Sequence, residues 1–246
     1  MIPLKDNIPT QRFPVISVAI IVVNVIVFLA DQATGSVEVV RAITPDGYPV
    51  HVRHFEGGLS AHYAMIPAQV SANLATAWIT VFTSMFLHAN WLHIGGNMLS
   101  MWIFGNNVED TLGRGKFLIF YLLCGAAAAA AHIASAPGSE VPTVGASGAI
   151  AGMMGAYLIL FPNAQILTLV PWGFFSSLME IPAIIVVGLW ALLQFINSQF
   201  MGGSGGGVAY MAHVGGFIAG VIMILAMGGR RLVEPKRPFE YEDGRY

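Results

Sequence analysis

Residues 116–134 read KFLIFYLLCGAAAAAAHIA and indicate the class of structure to which the chain belongs. The single charge in this stretch is the lysine at its first position, and apolar side chains fill nearly all of the rest. A helix of this length rises about 30 Å, which matches the hydrocarbon thickness of a bilayer. The stretch therefore predicts a helix that crosses a membrane.

The composition of the whole chain indicates the same environment. Hydrophobic residues make up 56% of the 246 residues and charged residues only 10%, whereas soluble domains carry about 25% charged residues. A surface so poor in charge stays dispersed only if most of it faces lipid. The net charge of −2 gives no electrostatic basis for binding nucleic acid.

Five further apolar stretches lie on either side of the first one, and together they predict an all-α fold. We expect a polytopic membrane protein built as a bundle of six transmembrane helices. The predicted spans are 13–30, 91–108, 116–134, 147–161, 182–196 and 208–227. A further apolar run, 166–178, contains Pro171 and Gly173, and either an interfacial or a re-entrant segment fits it.

These spans define the predicted domain limits. The N-terminus covers 1–12, the six-helix domain covers 13–228, and a charged tail covers 229–246. Within the domain a polar loop over about 31–77 is too long for a simple turn, so we expect it to be functional or structured.

Lysine and arginine placement predicts the orientation. With six spans both termini lie on one side, and that side holds nine of the 11 basic residues. Loops rich in Lys and Arg stay in the cytoplasm. We therefore expect a multi-pass protein with both termini cytoplasmic. We also expect its membrane to be a prokaryotic inner or plasma membrane.

Three polar clusters lie at the starts of alternate spans. They read HANWLHIGGN at 88–97, GASG at 145–148 and AHVGG at 212–216. Spans two, four and six all begin on the side opposite the termini, so the three clusters share one depth. Polar groups inside a membrane are costly and are functional by default.

Small residues at four-residue spacing predict that the fourth and sixth spans pack closely. They are Gly148, Gly152 and Ala156, then Ser147, Ala151 and Gly155, and in the sixth span Gly216 and Gly220. The contact would bring Ser147 and His213 together, and a serine beside a histidine can lose its proton as it attacks a carbonyl. His93, Asn97 and the backbone N–H of Ser147 would then donate to the oxyanion. The spans carry no acid near His213, so we expect a Ser-His dyad.

These motifs resemble those of the rhomboid family of intramembrane serine proteases. The family pattern His-x4-His-x3-Asn appears as His88, His93 and Asn97, Gly-x-Ser-Gly at 145–148, and Ala-His-x-Gly-Gly-x3-Gly at 212–220. The resemblance covers about 80–227 and implies Ser147 as nucleophile and His213 as general base. It implies His93 and Asn97 in the oxyanion hole and His88 as an organiser of the outer loop. The motif positions expected to support the site are Gly145, Ala146, Gly148, Gly216 and Gly220.

The resemblance also implies an activity. We expect an endopeptidase that cleaves single-span membrane proteins near the outer end of their helix, within the lipid bilayer and without a cofactor or metal. Two rivals are a catalytically inactive relative that binds membrane proteins in quality control, and a small transporter that uses His93, Asn97 and His213 as a polar pathway. Inactive relatives usually lose the serine or the histidine, and transporters often show internal repeats, which this sequence lacks.

Structural interpretations of the same residues stay open at this point. Ser147 could be a small packing residue, His213 a buried structural histidine and Asn97 a hydrogen-bonding link between helices. A set of loop histidines, His51, His54 and His62, could suggest a metal site, but their spacing matches no compact metal motif. We favour a solvated loop for these three.

The chain departs from the family pattern at two positions. Many members carry an aromatic residue four positions after the serine, where its ring stacks on the catalytic histidine, and this chain has Ala151. Many also carry a Trp-Arg pair in the outer loop, whereas Trp78 is followed here by Ile79. The orientation of the His213 ring therefore needs another source.

Overall fold

The computed structural model describes residues 1–43, 49–172, 175–201 and 209–233, without the side chains of 37–43, 49–56, 172 and 201. The helices in these ranges are α1 Val15–Thr34, α2 Ser60–Tyr63, α3 Pro67–Ala72, α4 Leu74–Thr83, α5 Trp91–Ser100, α6 Asn106–Leu112, α7 Arg114–Ser135, α8 Ser147–Leu160, α9 Ala183–Met201 and α10 Tyr210–Ala226. The strands are β1 Ile2–Asp6, β2 Gly35–Ile43, β3 Pro49–Gly57, β4 Gln165–Trp172 and β5 Phe175–Pro182.

Helices occupy all six predicted spans, and the prediction of a helical bundle is confirmed. A π-helical turn, Met101–Gly105, joins α5 to α6, so the second predicted span is helical throughout. By length and composition, three helices can cross a membrane: Val15–Thr34, Arg114–Ser135 and Ala183–Phe200. Because α8 and α10 are shorter apolar helices, the number of spans stays a prediction.

The helix α8 forms the centre of the bundle. Its residues are buried on every side from Gly148 to Tyr157, as expected for a helix that is apolar all round. It packs against α7 and α10. Gly216 of α10 lies directly on the carbonyl of Gly148, and Gly220 lies on the carbonyl of Gly152, with no room for a Cβ at either glycine. The backbones therefore approach as closely as the small-residue spacing predicts.

The outer surfaces of the peripheral helices are apolar. On α1 the side chains of Val22, Ile26 and Leu29 are exposed, and on α9 those of Ile184 and Leu192 are exposed. A continuous apolar exterior of this kind fits contact with lipid chains rather than with water.

The ambiguous run 166–178 folds as a β-hairpin in its described residues. Strands β4 and β5 pair antiparallel, and β1 adds to the other edge of β4, with Ile2 opposite Leu169. Ile, Val and Thr in this run favour a strand, and Pro171 is unfavourable in a helix. The pairing holds the N-terminus at the same end of the bundle as the α8–α9 connection, which agrees with the predicted alternation of spans.

The predicted loop over about 31–77 is structured. Strands β2 and β3 form an antiparallel hairpin, and α2, α3 and α4 follow, with α4 extending past the predicted end of the loop. The Asp31 carboxylate accepts hydrogen bonds from the backbone N–H and the hydroxyl of Ser60, at 2.8 and 2.6 Å. Met65 forms a two-way backbone bridge with Thr143, and so the loop is attached just before the motif at 145–148.

The loop histidines give no metal centre that the structure describes. The side chains of His51 and His54 lie outside the described residues, and His62 is exposed. In the part of the chain that is described, no three His, Cys, Asp or Glu side chains gather closely enough to hold a metal.

Candidate active site

Ser147 and His213 are hydrogen-bonded. The Oγ of Ser147 lies 2.7 Å from the Nε2 of His213, although the two residues are 66 positions apart in the chain. Ser147 is the first residue of α8, and His213 lies in the first turn of α10, where its side chain is buried. A serine hydroxyl that donates to a buried imidazole is the arrangement in which the imidazole can accept the proton during nucleophilic attack.

The segment before Ser147 depends on a glycine. Gly145 has a φ of +128°, which L side chains rarely adopt, and its N–H donates to the carbonyl of Ser84 at 2.9 Å. A Cβ at Gly145 would lie 2.8 Å from Cε1 and Nε2 of His93. Only glycine therefore allows the His93 ring to sit against this turn, beside the start of α8. The buried Ala146 follows Gly145. The N–H of Ser147 belongs to the first turn of α8, and N–H groups in the first turn of a helix have no intrahelical acceptor.

The start of α5 carries the other two predicted site residues. The side-chain oxygen of Asn90 accepts a hydrogen bond from the backbone N–H of His93 at 2.9 Å and caps the helix. Asn97 follows four residues later on the same face. Its side chain is buried, and its Nδ2 donates to no acceptor among the residues that the structure describes.

His88 lies beside His93, and its predicted role as an organiser of the outer loop stays a prediction. Its side chain is buried, and its ring meets the His93 ring at 5.1 Å between centroids and at a steep angle. Burial, together with the neighbouring His93, lowers the pKa of His88 to about 4. His88 is therefore neutral near pH 7.

The surroundings of His213 contain two residues that the motifs do not include. The Nδ1 of His213 lies 2.7 Å from the Oε1 of Gln194 on α9. The ring of Trp190, one turn earlier on α9, lies 5.8 Å from the His213 ring at an interplanar angle of 37°. One signal in the sequence could have identified Gln194, because it is a lone amide within the apolar span 182–196.

A single cavity of about 1710 Å³ connects these residues. Ser147, His213, His93 and Asn97 all line it. One wall is apolar and comes from α9, with Val186, Leu189 and Leu193. Polar groups that converge in a mostly apolar cavity are typical of a binding or catalytic site.

Comparisons with known proteins agree with these observations. The model of the Rhomboid domain family matches residues 75–230, which is more than half of the chain. Rhomboid protein 1, mitochondrial, from Saccharomyces cerevisiae is 30% identical over 156 residues, which cover 60% of this chain and 41% of that protein. Rhomboid protease GluP from Bacillus subtilis is 32% identical over 151 residues, covering 61% and 26% of the two chains. Putative rhomboid protease YdcA from the same organism is 32% identical over 148 residues, covering 59% and 65%.

These matches span between about a quarter and two thirds of the length of the relatives. The family consists of multi-pass integral membrane proteins and includes serine proteases as well as inactive members. Other relatives are mitochondrial or chloroplastic by name. Because the family model covers 75–230 and the three motifs lie inside that range, the chain belongs to the rhomboid family.

Proposed function

We propose that this chain is an intramembrane serine endopeptidase that hydrolyses transmembrane protein substrates through a dyad of Ser147 and His213. The observation that carries the proposal is the 2.7 Å hydrogen bond between the Ser147 hydroxyl and the His213 Nε2. A Ser-His pair by itself could be structural. This pair opens into a large cavity next to Asn97, whose buried amide has an unused donor among the described residues.

In the proposed reaction the Ser147 oxygen attacks the carbonyl carbon of the scissile peptide bond while Nε2 of His213 takes the hydroxyl proton. The resulting oxyanion accepts hydrogen bonds from His93, from the Asn97 amide and from the N–H of Ser147. The imidazolium then protonates the leaving amine, and water hydrolyses the acyl ester by the same steps. One such oxyanion donor is typically worth about 3–4 kcal/mol of the activation barrier.

The proposed site lies below the outer surface of the membrane. The 14 residues of α8 rise about 21 Å, which is less than the roughly 30 Å of the hydrocarbon core. If α8 ends near the cytoplasmic surface, Ser147 lies within the outer part of the bilayer. We propose accordingly that cleavage occurs near the outer end of the substrate helix, with both termini of the enzyme in the cytoplasm. A prokaryotic inner or plasma membrane remains our proposal for its location.

The substrate class follows from the position and chemistry of the site. A helical peptide bond has its carbonyl engaged in a backbone hydrogen bond, so a single-span substrate must unwind locally before attack. Small or helix-breaking residues in the substrate are expected to favour cleavage. The apolar α9 side of the cavity, which includes Leu189 and Leu193, suits the approach of such a segment from the lipid.

The test is cleavage of labelled single-span substrates by the protein purified in detergent. We expect wild-type protein to cut at one or a few bonds, and Ser147→Ala and His213→Ala to cut none. Matched controls are Ser71→Ala and His62→Ala, because both side chains are exposed and lie away from the cavity. Absence of cleavage by wild-type protein across several substrates, in detergent and in vesicles, would support the inactive relative instead.

A further inference from the structure

Ala151, four residues after Ser147 on α8, gives the His213 ring no aromatic neighbour, and two residues of α9 contact the ring instead. Ala151 is fully buried and offers only a methyl group. Trp190 packs at an angle to the imidazole, and Gln194 contacts its Nδ1. Because the two residues are four apart, they lie on one face of α9. The support for His213 therefore comes from a different helix.

From this geometry we infer that Gln194 is a positioning residue that sets the tautomer and ring orientation of His213 for proton transfer from Ser147. The inference rests on the proposed function and goes beyond the Ser-His dyad. The sequence motifs assign no role to Gln194.

The hydrogen bonds at the two ring nitrogens determine which tautomer of His213 can accept the Ser147 proton. A base that takes the Ser147 proton needs a bare Nε2, and a neutral imidazole with a bare Nε2 carries its proton on Nδ1. That N–H needs an acceptor, and the Gln194 Oε1 lies 2.7 Å away. The opposite tautomer would present an N–H to Ser147 and could not act as a base. An aspartate performs the orienting role in Ser-His-Asp sites, and here a neutral amide would do so.

The burial of His213 increases the effect of losing its contact with Gln194. His213 is only 9% exposed, so water does not readily replace an acceptor lost at Nδ1. A buried donor without a partner is disfavoured, and the ring would then turn or change tautomer to find another partner. Either change removes the bare Nε2 from Ser147.

The test compares Gln194→Leu with Gln194→Glu. Leucine keeps similar bulk and has no acceptor, whereas glutamate keeps an acceptor oxygen whether or not it is protonated. The matched control is Gln69→Leu, since the Gln69 side chain is exposed on α3 and lies away from the cavity. Thermal unfolding in detergent would be recorded for each variant to confirm that it is folded.

We expect Gln194→Leu to lower kcat about tenfold or more, in line with the cost of leaving a buried donor without its partner, with KM within about twofold. The glutamate variant is expected to stay within about threefold of wild type, and Gln69→Leu to match wild type. Equal losses in the leucine and glutamate variants, an unchanged kcat in Gln194→Leu, or a rise in KM alone would each overturn the inference.

A second readout does not depend on activity. The ¹⁵N NMR spectrum of the imidazoles, with the His213 signals assigned by their loss in His213→Asn, reports which ring nitrogen carries the proton. We expect the Nδ1–H form of His213 in wild type and a mixture in Gln194→Leu. An inactive wild type that gives this NMR result would reject the proposed function while retaining the role of Gln194. An active wild type whose tautomer is unchanged in Gln194→Leu would reject the role of Gln194 alone.

Discussion

Gly216 of α10 packs directly on the backbone carbonyl of Gly148 in α8. Gly148 follows Ser147 by one residue, and Gly216 follows His213 by three. This backbone contact fixes the distance between the two helices at the level of the proposed dyad. The same relationship recurs one turn deeper, between Gly220 and Gly152. Helix spacing and dyad geometry are therefore coupled.

A Gly216→Ala substitution tests this coupling. The added methyl group would overlap the Gly148 carbonyl, so α10 must move away from α8. We expect a loss of about 1–3 kcal/mol in unfolding free energy, as for other overpacked cores, and a large loss of activity because His213 moves with α10. Gly188→Ala is the control, since a Cβ there has no neighbour within 4 Å. A Gly216→Ala variant as stable and as active as the control would contradict the coupling.

Asn97 gives a prediction that separates catalysis from stability. Its Nδ2 has no acceptor among the described residues, so removing it breaks no hydrogen bond there. We expect Asn97→Ala to lower kcat about 100-fold, as for loss of an oxyanion donor, with little change in thermal stability. Asn24 is a buried amide on α1 whose Nδ2 donates to the Ile20 carbonyl. Asn24→Ala should leave kcat unchanged. A lower thermal stability of Asn97→Ala with an unchanged kcat would instead favour a structural role for Asn97.

Glu109 replaces the missing N-cap of α1. Pro14 stands at the cap position without a capping side chain, and the Glu109 carboxylate accepts from the N–H groups of Ile16 and Ser17 and from the Ser17 hydroxyl, at 2.7–2.9 Å. In Glu109→Gln one acceptor oxygen becomes an amide donor that faces other donors.

We expect Glu109→Gln to lower the unfolding free energy by about 1–3 kcal/mol, the cost of leaving a buried donor unsatisfied, and to speed hydrogen exchange at the first turn of α1. Asp110→Asn is the neighbouring control, because the Asp110 carboxylate accepts an exposed hydrogen bond from the Gln11 N–H. Equal stability of the two variants would show that Glu109 does not cap the helix.

The surroundings of Asp6, in the N-terminal strand β1, predict that the stability of the protein depends on pH. Its Oδ2 accepts hydrogen bonds from the Tyr157 hydroxyl at 2.7 Å and the Asn107 amide at 2.5 Å. Burial raises the pKa of Asp6 above its ordinary 3.8, and the hydrogen bond from Tyr157 opposes this shift only in part. The folded state therefore holds the Asp6 proton to higher pH than the unfolded state does.

The resulting contribution to stability is fully present below pH 3.8 and is lost as the pH rises through the raised pKa. We expect Asp6→Asn to remove this loss, because asparagine keeps an acceptor oxygen and does not ionise. The melting temperature of the variant relative to wild type should rise as the pH increases from about 4 to about 7. A difference in melting temperature between the two proteins that stays constant across this pH range would argue against a raised pKa of Asp6.

Local patterns were sufficient to predict much of this structure. The helices follow from apolar runs, and the α8–α10 contact follows from glycines at four-residue spacing, since both depend on residues close together in sequence. Ser147 and His213 were paired by the same spacing. Their catalytic roles stay predictions.

The remaining features depend on contacts between distant segments. The Gln194–His213 bond joins two helices, the Glu109 cap joins residues more than 90 positions apart, and β1 pairs with a strand more than 150 positions later. The local periodicity of a sequence does not predict contacts of this kind between distant segments. The run 166–178 was predicted as an interfacial or a re-entrant segment, because its apolar content alone does not reveal the pairing of β4 with β1 and β5.

Covalent labelling of Ser147 tests the proposed dyad most directly. A fluorophosphonate reacts with a serine whose hydroxyl is activated by a neighbouring base. Intact and peptide mass spectrometry of the labelled protein should locate one adduct on Ser147, with no adduct in Ser147→Ala and at least 100-fold slower labelling in His213→Ala, the range for loss of a general base. An adduct on another serine, or labelling at the same rate in His213→Ala, would contradict the proposal that His213 activates Ser147.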